Sequence, residues 1–293
     1  MIQKNEYEKQ FYKNIRCRLI INKIINICVI LAVVFALIPL GSIIFEVFKN
    51  GITAISIEFL TEVPGAIGTK NGGIGPAIQG TLLIILFSSL IGIPIGLFSG
   101  IFLYEFHDRK LARIIRFVND VFMELPTIII GIFTFLVIVL TLGYFTILAG
   151  SFALSLIMIP IISKTTEESL KMVPIAYKEA GTALGLQNWI ISMKIIMVTA
   201  KKGILNGILL SVARISGETA PLIMTTLGSS QFFHSFNSPI DSLPLRIWRF
   251  SLLPYDEAQT YGWGSALVLI FIIIMISIII RYAFNTRLFK IKT

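Results

Sequence analysis

Apolar residues come in six long runs, at about 24–45, 76–104, 125–142, 144–163, 203–228 and 264–284. A helix needs roughly 20 apolar residues to cross a bilayer, so these runs predict six transmembrane helices. The third and fourth runs meet at Thr141-Leu142-Gly143-Tyr144. That Gly-containing break predicts a tight helical hairpin in preference to one over-long helix. The run after residue 23 exceeds a signal-peptide core and lacks a small-residue cleavage pattern after it, so it reads as a retained span.

Charge adds an orientation. Of the 25 Lys and Arg residues, 20 fall on one side of this pattern and four on the other, with Arg214 inside the fifth run. The larger group comprises the tail before the first run, the 105–124 and 164–202 loops and the C-terminal end. By the positive-inside rule both termini are cytoplasmic. The expected organisation is a basic N-terminal tail at 1–23 and a first helix with its outer loop at 24–75. A transmembrane domain at 76–285 and a C-terminal tail at 286–293 follow.

Composition supports this class. The chain is 55% hydrophobic and 14% charged, against about 25% charged in soluble domains. The net charge of +9 forms no continuous stripe. It therefore indicates acidic lipid headgroups, and no nucleic-acid partner is expected. Cys17 and Cys28 imply neither a disulfide framework nor a metal site. No metal-protease or hydrolase motif is present, and His107 and His234 fall in loops on opposite sides, which argues against an intramembrane enzyme. The run Asn71-Gly72-Gly73-Ile74-Gly75-Pro76 reads as a turn into the second span, with Pro76 suited to a first helical turn.

Two segments carry candidate chemistry. The 164–202 loop is longer than a connection needs and reads as two short helices. Pro174 opens the first, Gly185 ends it in the left-handed region, and Asn188 caps the second, which starts at Trp189. Ala176, Ala180, Ala183 and Leu184 recur at helical spacing. This face suits either a groove on another protein or the membrane interface. In the fifth run, Arg214 and Glu218 stand four apart, on one helical face. Charges this deep normally face a bundle interior or a wet cavity. Two readings stand. The pair either braces the bundle, or presents a guanidinium fork to an anionic substrate with Glu218 holding it in place and Ser216 and Thr219 adding hydroxyls. Gly217 and Pro221 predict a loosened helix beside the pair, either along a translocation path or as a packing kink.

The run Glu179-Ala180-Gly181, then Gly185, then Ile195 resembles the signature loop of binding-protein-dependent ABC importer permeases. Gly181, Met197 and Val198 depart from that signature, and Val198 stands where it has proline. The segment from Ala213 to Leu222, Ala-Arg-Ile-Ser-Gly-Glu-Thr-Ala-Pro-Leu, resembles permeases of phosphate importers, of the PstA type. The segments Gly73–Ile78, Pro126–Gly131, Thr166–Glu168 and Asn237–Ile247 agree, so the resemblance covers about residue 70 to the C-terminus. It implies an all-α bundle of the type I ABC importer (MetI-like) class in a bacterial cell membrane. Glu179, Ala180, Gly181, Gly185 and Trp189 would couple to an ATPase, and Arg214, Glu218, Thr219 and Ser216 would line the path. The implied partners are a PstC-like permease, two copies of a cytoplasmic ATPase and an extracytoplasmic phosphate-binding protein. Without a Walker A run, this chain is not expected to be an enzyme or to hold a cofactor; ATP and magnesium belong to the ATPase. Sulfate, molybdate and phosphonate permeases share the fold and stand as alternative substrates, and a stand-alone secondary carrier is a further alternative.

Overall fold

A computed structural model describes residues 2–65 and 72–286, with side chains described for 18–65 and 72–282. The start of the Gly-rich turn at Asn71, the side chains of the basic tail before Arg18 and nearly all of the 286–293 tail lie outside the described residues. The chain divides into two units, Met1–Asn50 and Gly51–Thr293. Among the described residues the regular structure is helical, with one isolated bridge between Leu227 and Ile240. Among the described residues five helices are long and apolar enough to cross a membrane, or six if the pair Lys110–Glu124 and Thr127–Leu142, bent by 106°, counts as one broken span.

The first unit is essentially helix α1 (Ile2–Gly51). No residue in the basic stretch breaks a helix, so the tail and the apolar run form one continuous element. Its apolar side chains from Leu19 to Phe45 are exposed all round, as suits a helix surrounded by lipid.

The second unit begins with a 3₁₀ turn (Ile52–Ala54) and α2 (Ile57–Thr61), where Ser56 caps by accepting from Phe59 N. α3 (Gly75–Glu105) and α7 (Ile147–Lys171) are the central pair. Gly92, Gly96 and Gly100 recur every four residues along α3. A Cβ on them would lie 2.9 Å from Met158, 2.7 Å from Ile162 and 2.6 Å from the Ser163 carbonyl oxygen. This small-residue seam lets the two backbones approach closely, as helices in lipid require when no hydrophobic force drives them together. Around the pair, Ile84, Leu154, Met158, Ile162, Ile208 and Ile215 form the main core.

α4 (Lys110–Glu124) precedes α5 (Thr127–Thr134), which continues through a π turn (Phe135–Val139) into α6 (Leu140–Leu142). Gly143, at φ +82°, ends α6, and α7 starts after Thr146. This is the hairpin that the sequence predicts, and Gly is the residue that enters this left-handed conformation without a Cβ penalty.

Two boundaries differ from expectation. α7 runs on to Lys171, and the second of the two short loop helices is the start of a long one. α9 (Asn188–Ile191), a π turn (Ser192–Ile196) and α10 (Met197–Ser216) are continuous. Gln187, with no side-chain cap bond, takes the N-cap position expected of Asn188. The physical reason lies at Val198: where the family signature has proline, valine keeps its N–H and the helix continues. The free connection is therefore 172–187, with α8 (Ala176–Ala183) inside it.

The fifth run is also not one helix to residue 228. α10 stops at Ser216, and after a break the chain forms the short α11 (Ala220–Thr225). A connecting segment follows with α12 (Leu243–Ser251), and α13 (Asp256–Thr286) completes the described chain.

Candidate functional site

The break between α10 and α11 places the first candidate group. Gly217 N and Glu218 N donate to the carbonyls of Arg214 and Ile215, closing α10 with tight turns. Pro221 sits in the first turn of α11, where its missing N–H costs nothing. It is buried against α5: a Cβ on Gly131 would lie 2.6 Å from Pro221 Cα. Gly217 and Pro221 therefore delimit a full interruption of the helix, more than a kink.

Arg214 and Glu218 flank this interruption. Arg214 Nε lies 3.9 Å from Glu218 Oε1, and their side chains are 45% and 16% exposed. The contact is loose, and the guanidinium is open on the surface of this chain. Its depth follows from its neighbours: Ser216, two residues on, lines a small cavity with Thr81, Ile84, Leu154 and Leu222. Ser242 and Pro244, at the start of α12, line it too, and Leu154 is about two turns into α7, so the pair lies about two turns from that end of the bundle.

The four path candidates do not converge. Ser216 is buried, and its hydroxyl donates to Val212 O at 2.6 Å. It faces the core, away from the open guanidinium. Thr219 is half-buried at the N-cap of α11, next to Glu218 in the break. Arg214, Glu218 and Thr219 thus make the local group.

The second candidate group occupies the 172–187 connection and the start of α9. Glu179 and Ala180 are exposed on α8, and Trp189 is exposed on α9, its indole N–H donating to the Gln187 side chain. Gly181 is buried, where a Cβ would lie 2.8 Å from Ile191 Cγ1. That close packing accounts for glycine at a position where the signature has alanine. Gly185 adopts φ +73°, the left-handed stop that the sequence predicts. Met172, Ile175, Tyr177, Leu184 and Trp189 leave this segment with large exposed apolar side chains. Exposed apolar side chains of this kind suit a contact with another protein or with the membrane interface.

Two ionic clusters escaped the sequence reading. Asp241 and Arg246 are fully buried, at 0% and 7% side-chain exposure. Arg246 Nε donates to Asp241 Oδ2 at 2.7 Å, and Nη2 bonds the same oxygen and the Ser229 carbonyl. Arg249 Nη2 donates to the Leu227 carbonyl, and Leu243 N donates to Thr81 Oγ1 at 2.8 Å. These bonds fasten the 227–251 segment across the end of α3. Burial raises the Asp241 carboxyl above its ordinary range, and the Arg246 guanidinium opposes that rise. The second cluster centres on buried Glu167, whose Oε1 accepts from Arg116 at 2.7 Å and Lys171 at 2.6 Å. No spacing rule links Arg116 to Glu167, 51 residues away. Asp241 and Arg246 are five apart across the Ser242 N-cap, which matches no helical pairing.

A helical bundle with a broken, charged crossing and an exposed apolar connection at one end defines a multi-pass membrane transport component. Residues 92–290 match the family described as "Binding-protein-dependent transport system inner membrane component". The phosphate transport system permease protein PstA of Yersinia pestis is 36% identical over 267 residues, covering 91% of this chain and 90% of that one. The probable PstA of Methanocaldococcus jannaschii is 38% identical, covering 91% and 94%. A solved structure of the methionine ABC transporter MetNI, in an inward-facing conformation, aligns at a TM-score of 0.53 with 18% identity, covering 72% of this chain and 90% of that one. It shares the fold. The chain belongs to the binding-protein-dependent transport system inner membrane component family, with relatives of the PstA type.

Proposed function

We infer that this chain is the transmembrane permease subunit of an ATP-driven importer for inorganic phosphate. The observation that carries this is the end-to-end similarity to phosphate permeases of the PstA type, at 36–38% identity over about nine-tenths of both chains. The open Arg214 guanidinium fits that cargo, because its planar donors match two oxyanion oxygens at once.

Both termini and the 172–187 connection lie in the cytoplasm, consistent with the skew of basic residues. A second, paralogous permease covers the exposed face at the α10–α11 break and completes the path. Two copies of a cytoplasmic ATPase hold the ATP and magnesium, and one of them receives α8 and Trp189. An extracytoplasmic binding protein delivers phosphate to the opposite end. Motion of the ATPases pulls α8, and α9–α10 transmits it as one continuous helix to Arg214. The guanidinium then receives and releases the anion as the path opens to alternate sides, with Glu218 holding it in place between transfers.

The test is ATP-driven uptake of labelled phosphate into vesicles holding the four-component complex. Uptake that requires the ATPase and is outcompeted by phosphate, and not by sulfate or molybdate, is expected. Uptake without the ATPase, or equal competition by sulfate, overturns the assignment.

A further inference from the structure

Helix α4 has a face that none of the described residues covers. Leu111, Ile114, Phe117, Val118 and Val121 recur at helical spacing and are all exposed, Phe117 at 69% and Ile114 at 58%. The opposite face is occupied. Ala112 and Asn119 are buried, Asn119 donates to Ser163 Oγ at 2.9 Å, Arg116 pairs with Glu167, and Lys164 with Asp120 at 3.1 Å. α4 therefore cannot roll its apolar face inward without breaking its contacts with α7.

The bend that follows fixes the direction of this face. At Leu125-Pro126 the backbone is extended, with ψ 134° and 130°, because proline disfavours a helical residue before it. α4 and the crossing at Thr127–Leu142 are inclined at 106°. If Thr127–Leu142 crosses the bilayer, α4 runs close to the membrane plane. A straight continuation would instead carry Arg113, Arg116, Asp120 and Glu124 into hydrocarbon, at a cost of kcal/mol each. Exposed Lys110 and Arg113 border the apolar face, next to Arg109. Amphipathic pattern, in-plane direction and flanking cations are the features of a helix that lies in a membrane interface.

We propose that α4 is an interfacial helix. Its Leu111–Val121 face enters the acyl-chain boundary of the leaflet at the basic end of the bundle, and Lys110 and Arg113 hold anionic lipid headgroups. Long cationic side chains at such a border reach the headgroups while their stems cover apolar surface. α4 is bound through Arg116–Glu167 to α7, which leads directly into the 172–187 connection. Anionic lipid thereby acts on the same helix that positions the ATPase-facing segment.

The test uses the whole transporter in vesicles of phosphatidylcholine with phosphatidylglycerol, with Cys17 and Cys28 replaced by serine. Nitroxide labels go on I114C and on F117C, separately. Collision with dissolved oxygen should exceed collision with a water-soluble nickel chelate at both positions, a readout that is independent of the transported substrate. Shielding from both reagents would mean that another protein covers α4, and nickel-dominated collision would mean that it lies in water; either overturns the proposal. A second variant, K110Q with R113Q, should lower transport by up to about thirtyfold in the anionic vesicles, about fivefold for each basic residue removed at such a surface. In pure phosphatidylcholine it should match the parent. An equal loss in both lipids overturns the headgroup contact.

Discussion

Two Arg–carboxylate pairs in the second unit are built in opposite ways. Asp241–Arg246 is closed: buried, doubly bonded through one carboxylate oxygen, and further tied to the Ser229 carbonyl. Arg214–Glu218 is open: a single contact at 3.9 Å beside a broken helix, with the guanidinium nearly half exposed. A buried pair whose Nε and Nη2 donors are both committed inside the protein holds structure together. A pair with spare donors on an open face is available to a ligand. Sequence alone shows two arginines near acids, and only the packing separates their roles.

The comparison breaks most sharply at the closed pair. Asp241→Ala leaves the Arg246 charge buried without compensation, which costs about 3–5 kcal/mol. Thermal unfolding of the solubilised complex should shift strongly downward, and an unshifted midpoint would dissolve the distinction. Arg214→Ala should act the other way. Loss of one charge-assisted contact to the anion is worth about 1.5–3 kcal/mol, so uptake falls roughly ten- to a hundred-fold while the unfolding midpoint holds. Smaller again is the lysine series. Arg214→Lys retains the charge and should keep part of the uptake. Arg246→Lys loses the two-pronged geometry and should lower stability by about 1.5 kcal/mol, the low end for a hydrogen bond to a charged group. At the bottom of the scale, Lys164→Gln removes an exposed partner of Asp120 and should change stability by less than about 1 kcal/mol.

Much of the fold is legible in the chain because hydrocarbon leaves few choices: long apolar runs must be helices. Gly143 and Gly185 marked real helix ends, since each occupies the left-handed region. The boundaries that misled are those where tertiary packing decides. Arg214 to Leu222 reads as a helix loosened or kinked at Gly217 and Pro221, yet Pro221 docks on Gly131 of α5 and the helix breaks fully before it. Ser216 was legible as a hydroxyl near the pair, but not as one turned into the core and committed to Val212. Arg246 counted only as one of four charges on the sparsely basic side, because its partner precedes it by five residues across a cap. The α4 face was hidden for a related reason: its apolar residues are interleaved with Arg113, Arg116 and Asp120, so no window reads as a span.

The most direct measurement compares two variants in one complex, Arg214→Ala and Asp241→Ala. Each is scored for phosphate uptake per folded transporter and for unfolding midpoint. The account predicts that the first loses uptake at an unchanged midpoint, and that the second loses midpoint while its surviving folded fraction still transports. Parental uptake by folded Arg214→Ala would contradict it.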